Sequence, residues 1–285
     1  MHPLRFPWRR FVAHVSSRFV EENFDQTSAS LAFTTLLSLV PLVAVVLSIV
    51  TLVPFFPTIV QQLDLFLARN LLPERSAEMI VNHVLQFSKK AGEVTAVGSL
   101  VLVATVLLLL LSIERAFNHV WSVADNRPWW QRLRLFAGLV ALWPLVIACV
   151  VVATSHAVTT SLGLLDEPPW VRQLLLKILG LSVAGLFLGG LYYALPNTRV
   201  APRDALWAGL FASVIFLMMQ KAFELYLSNV PSYTAVYGAF ATVPLFLLWL
   251  YLSWAVVLLG ALVAATLPEY RRSADPDRTN QLDNN

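Results

Sequence analysis

The chain is short of the residues that carry chemistry in water. Of its 285 residues only 13% are charged, and one is cysteine. That single thiol, Cys149, excludes an intramolecular disulfide and any paired-cysteine metal or redox motif. The five histidines (His2, His14, His83, His119 and His156) form no HxH, HxE or HExxH pattern, so no zinc-hydrolase spacing is present. There is no P-loop sequence either, so coupling to ATP would need another chain. The shortage of charge excludes most. A soluble domain carries about 25% charged residues because its surface must stay hydrated. Here the share is about half that, and the mean hydropathy is +0.68.

What replaces charge is hydrocarbon. Hydrophobic residues make up 58% of the chain. They gather into runs of about twenty residues or more, the length that crosses ~30 Å of lipid as a helix. The expected fold class is an all-α polytopic membrane protein with six transmembrane helices, near residues 28–53, 94–113, 135–161, 173–195, 204–228 and 244–267. The membrane domain then occupies 28–268. It is preceded by an amphipathic juxtamembrane segment (1–27) and followed by a polar tail (269–285) expected to be disordered. In residues 8–24 the apolar positions Trp8, Phe11, Val12, Val15 and Phe19 alternate with arginines at helical spacing. This is the pattern of a helix lying on a membrane surface with its cations near anionic headgroups. Residues 54–93 carry two more apolar stripes at helical spacing and read as amphipathic helices in the first outer loop. The Glu114–His119 stretch reads as a polar hinge after the second span. The loop that follows holds Arg127, Trp129, Trp130 and Arg132, a composition suited to the headgroup interface.

The net charge of +3 and the pI near 9.2 are explained by topology without nucleic acid. Thirteen Lys and Arg residues fall in the N-terminal segment, the second and fourth connections and the tail, against six on the opposite side. The richer side is the cytoplasm, which places both termini inside.

Candidate functional groups are those a membrane rejects. Lys221 and Glu224 stand one turn apart in the fifth span, with Gln220 beside them. They either reach the outer interface or face a wet cavity as a pair. Glu114 and Asn118 share a face at the inner end of the second span, with Arg115 and His119 on the adjacent face, as an interfacial salt-bridge cluster or a gate. Pro41, Pro144 and Pro244 interrupt apolar segments and are candidate helix kinks. Tyr237 and Gly238 mark a short ordered segment before the last helix. Gly185 and Gly189 form GxxxG, suited to close helix contact within the chain or, second, to a homo-oligomer. No residue set calls for a cofactor or a metal.

These residues also carry a family likeness. The run from Ser30 through Pro41-Leu42 resembles the opening motif of the YihY/BrkB family, bacterial inner-membrane proteins formerly called ribonuclease BN. Asn70-Leu71-Leu72-Pro73, Phe117-Asn118-His119-Val120-Trp121 and Arg127-Pro128-Trp129 are similar to that family too. So is the closing run from Val236-Tyr237-Gly238 to Leu259-Gly260-Ala261. Family members often carry a glutamate after the closing Gly-Ala, where this chain has Leu262. The resemblance implies six helices and an inner-membrane address, and it points toward envelope or lipid-related transport rather than a defined reaction. The reading is therefore a transporter-like or lipid-handling membrane protein. A scaffold that docks an envelope partner is the alternative, and a membrane ribonuclease comes last because topology already accounts for the arginines.

Orientation can be checked directly. A cysteine at Asp166 should react with a membrane-impermeant thiol reagent in intact cells, whereas cysteines at Asn126 or Asp277 should react only after lysis. Labelling of Asn126 with protection of Asp166 would invert the topology.

Overall fold

Long apolar runs fold as helices because lipid offers no partner for a bare peptide group, and the helix satisfies nearly all of them within one segment. The computed structural model describes residues 8–51, 96–124, 127–138, 169–229 and 242–273, and all the regular structure among them is helical. We label the principal helices α1 (Trp8–Glu21), α2 (Phe24–Thr51), α3 (Ala96–Val120), α4 (Pro169–Ala194), α5 (Pro202–Asn229) and α6 (Thr242–Ser273). A further helical stretch covers 129–138. Four helical segments are long and apolar enough to cross a membrane: Phe24–Val43, Leu100–Val120, Pro202–Ser228 and Val243–Arg271. Gly180–Ala194 adds a shorter apolar helix. Most of the third expected span, with Pro144, lies outside the described residues, as do the outer segment 54–93 and Tyr237-Gly238.

Several boundaries differ from those expected, each for a physical reason. No hinge occurs at Glu114–His119, because α3 continues to Val120. That stretch holds no proline or glycine, and Asn118 and His119 meet Asn197 and Glu22 instead of breaking the helix. Pro244 is not a kink. It sits in the first turn of α6, where the N–H it lacks would have had no intrahelical acceptor. Pro41 is inside α2, which continues past it, and Pro268 is inside α6. The last helix also passes the boundary expected at residue 268 and ends at Ser273, because the polar turn after Pro268 is held by tertiary contacts.

The described chain divides into two compact units, one comprising residues 1–36, 111–126 and 181–285, the other residues 37–110 and 127–180. Within the first unit, α5 packs along α6, and α1 packs against the end of α6. Phe11 and Val15 of α1 are buried, and Phe11 meets Tyr270 edge-on at 5.3 Å. The apolar stripe of α1 is thus spent on protein at these two positions, while Val12 and Val20 remain exposed. Phe24, Phe117, Tyr192, Leu195, Leu258 and Leu262 fill the centre of the unit. Leu262 is fully buried.

Close helix approach is set by glycine. A Cβ on Gly209 of α5 would strike the backbone of Gly185 and Gly189 on α4. The GxxxG strip is therefore occupied by a helix of the same chain, and a homo-oligomer through it would have to displace α5. Gly260 of α6 leaves room for the Tyr192 hydroxyl, which donates to the Val257 carbonyl at 3.0 Å. In detergent melts, Gly209→Ala should lower stability by about 1–3 kcal/mol because backbone cannot yield. Gly190→Ala, with nothing near its Cβ position, should change little. Equal effects at the two positions would refute the close approach.

Candidate functional site

A helix that ends at a membrane boundary leaves four carbonyls without intrahelical donors. At the end of α3 all four are satisfied. Trp121 N–H donates to Phe117, Ser122 to His119 and Val123 to Asn118, at 3.3, 2.9 and 2.9 Å. This is a Schellman-type cap in which Ser122, at φ 52°, takes the left-handed position usually held by glycine. The fourth carbonyl, Val120, accepts from the Arg18 guanidinium of α1 at 3.3 Å. Arg18 also pairs with Glu22 one turn on, at 2.7 Å. The His119 ring lies 3.4 Å from the Glu22 carbonyl and packs on Phe24, the first residue of α2. Asn23, at φ 54°, turns the chain between α1 and α2, a conformation asparagine tolerates.

The same end of this unit gathers the other helix termini. The Asn118 side-chain oxygen accepts from the backbone N–H of Asn197, just past the end of α4, at 2.8 Å. Phe117 packs on Tyr192 with ring centres 6.1 Å apart. Asp204, in the first turn of α5, receives Arg271 from the last turn of α6 at 2.7 Å. Each charge also lies at the helix end its sign favours, the anion at an N-terminus and the cation at a C-terminus. Tyr270 extends its hydroxyl to the Arg10 carbonyl, closing α1 onto the end of α6. Trp254 of α6 donates to the Thr35 hydroxyl of α2 at 3.0 Å.

Glu114 stands one turn before Asn118 and retains 1% of its surface exposure, although it belongs to a helix that is otherwise largely hydrocarbon. Glu114 and Asn118 are both buried, while their neighbours Arg115 and His119 are exposed. Lys221 and Glu224 are joined at 2.6 Å with side chains 79% and 67% exposed, and Gln220 is exposed beside them. Among the described residues that pair is therefore open rather than enclosed. It also stands about 25 Å along α5 from Asp204, at 1.5 Å per residue. The structure thus brings together Glu114 and Asn118, and separately Lys221 and Glu224, but not the two pairs with each other. Among the described residues no group of three His, Cys, Asp or Glu side chains could hold a metal ion.

Sequence reading missed Arg18, Tyr192, Asn197, Asp204 and Arg271. An acid three residues into a helix that opens with proline is a signal for Asp204. Nothing in the linear chain points from it to Arg271.

Replacing Arg271 by Gln should cost about 1–3 kcal/mol in thermal or denaturant unfolding, because it strands a carboxylate that is 6% exposed. The double change Asp204→Asn with Arg271→Gln should recover part of that loss. A double variant less stable than Arg271→Gln alone would show that the pair's charge is not what holds these ends.

Residues 15–283 match the family described as Virulence factor BrkB. The UPF0761 membrane protein of Aromatoleum aromaticum is 40% identical over 92% of this chain, a match that covers 64% of the relative. That of Azoarcus sp. is 42% identical over 93% of this chain and 65% of its own length. That of Bordetella petrii is 41% identical over 94% and 60% respectively. The chain therefore spans less than two thirds of the length of these relatives. No solved structure matches it.

Proposed function

This chain belongs to the BrkB family of membrane proteins, and from that premise we propose that it is a transporter-like or lipid-handling protein of the bacterial inner membrane. The observation that carries the reading is Glu114, a buried carboxylate in an apolar membrane helix with Asn118 one turn away. An ionisable group at such a position is costly, and it is a functional group by default. The exposed Lys221–Glu224 pair fits the outer-interface role instead and leaves the list of pathway residues. We take the chain to be no enzyme, since its sequence offers no hydrolase motif around Glu114.

Helix parity supports six crossings with both ends on one side. The start of α2, the ends of α3 and α4, the start of α5 and the end of α6 meet through the contacts described above. For the crossing between α3 and α4 we take residues 135–161, an apolar run of sufficient length. The basic-residue asymmetry supports a cytoplasmic location for the shared end.

Proteoliposomes containing fluorescent phosphatidylglycerol or phosphatidylethanolamine, quenched from outside with dithionite, test the lipid branch. Flux above protein-free vesicles should fall to the protein-free rate in Glu114→Gln and persist in Lys221→Met with Glu224→Gln. Melts of each variant separate loss of flux from loss of fold. Flux that ignores Glu114, or none with either lipid or with entrapped solutes, favours the scaffold that docks an envelope partner.

A further inference from the structure

Exposed hydrocarbon on the membrane-crossing helices needs no explanation, since lipid tails cover it. Trp129 and Trp130 are different. They open the helical stretch 129–138, follow Pro128, and precede Gln131, in a connection too polar to be hydrocarbon-facing. The helix starts here because Pro128 supplies a carbonyl that accepts from both Gln131 and Arg132, at 3.0 and 3.2 Å. The two indoles stack with ring centres 3.6 Å apart and are 60% and 61% exposed. Leu133, one turn after Trp129, is exposed, and Arg134, one turn after Trp130, is exposed as well. One turn further the helix becomes buried at Phe136.

Two large aromatic rings left in water would lose the transfer free energy that normally keeps tryptophan covered. A bilayer interface covers them without a second protein. Indole rings partition to headgroup level, where one edge stays wet and the ring face meets acyl chain. Charge decides which lipid. Between Trp121 and Arg134 the chain carries Arg127, Arg132 and Arg134 against the single acid Asp125. We propose that the Trp129–Arg134 turn is an anchoring site for anionic phospholipid headgroups. The tryptophans sit between the headgroups, and Arg134 meets the phosphate. The proposal depends only on the chain being a membrane protein and holds whether or not it transports anything.

The experiment uses the full chain in nanodiscs of phosphatidylcholine, alone or mixed equally with phosphatidylglycerol. The tryptophan emission of Trp129→Phe with Trp130→Phe is subtracted from wild type, and the single variants give the same difference in halves. That difference should be quenched by phospholipids brominated near the headgroup end of the acyl chain, and little by bromine at the chain terminus or by aqueous iodide. Native mass spectrometry should show phosphatidylglycerol retained in preference to phosphatidylcholine, with retention about fivefold weaker in Arg134→Gln. Quenching by iodide but not by brominated lipid would overturn the proposal and leave the turn as a surface for a soluble partner. Equal retention of the two lipids, or retention unchanged in Arg134→Gln, would also overturn it. Because all three side chains are exposed, the variants should melt in detergent as wild type does, so a failure to bind is not a failure to fold.

Discussion

Everything at the described end of this protein depends on capping α3. The last turn of a helix presents four carbonyls, and near a membrane boundary an unmet one carries a penalty that water does not fully relieve. Here three are met locally by the turn through Ser122, and the fourth by Arg18. The local part needs a left-handed residue, supplied by serine at some cost in backbone strain. The distant part needs α1 to lie across the end of α3, which it can do only because Asn23 reverses the chain into α2. Once Arg18 is in place, Phe11 lies against Tyr270 of α6, Val15 is buried, and Tyr270 reaches the Arg10 backbone. One cap thus orders the N-terminal helix, the start of α2 and the end of the last helix.

The packing beneath that end follows a different rule. Lipid tails are as apolar as leucine, so burial alone gives helices little reason to associate, and close backbone approach has to supply the attraction. Gly185, Gly189 and Gly209 provide it between α4 and α5, and Gly260 with Ala212 provides it around Tyr192. Tyr192 is the largest fully buried side chain of the unit, and its hydroxyl is satisfied by a carbonyl on α6. The ring therefore serves both as filler and as a tie between α4 and α6. Removing the hydroxyl leaves the filling and loses the tie, whereas adding a Cβ at Gly260 opposes both.

How much of this could be read from the linear chain depends on the range of each interaction. Helix cores were legible because hydrocarbon length and periodicity are local. The starts of α4 and α5 were read a few residues late, at 173 and 204, although Pro169 and Pro202 fit a first helical turn. The start of the last helix near Pro244 was legible, but the same proline was also taken for a kink because an apolar run continues on both sides of it. The end of α6 was misread for the opposite reason. Residues beyond Pro268 are polar, but Tyr270 and Arg271 are held by Phe11 and Asp204, which come from far away in sequence. GxxxG announced a helix contact without naming its partner, since a lone glycine such as Gly209 carries no pattern. Lys221 and Glu224 announced a pair, but exposure depends on how a helix is rotated within its surroundings, and spacing does not report that.

Two of the ion pairs show why the candidate site belongs at the capped end. Lys221 and Glu224 are neighbours on one helix, both largely exposed, so solvent or headgroups can replace either partner and the pair carries little energy. Asp204 and Arg271 come from different helices, and the aspartate is almost wholly buried, so separating them has a cost the first pair does not. Glu114 is more buried still, and its neighbour Asn118 holds the backbone of Asn197 at the exit of α4. A change in what Glu114 contacts therefore acts one turn away from a bond that fixes α4 against α3. A change at Lys221 acts on an exposed pair of α5. If this protein changes conformation while it works, the energy that separates its states is concentrated where buried charge and helix ends meet.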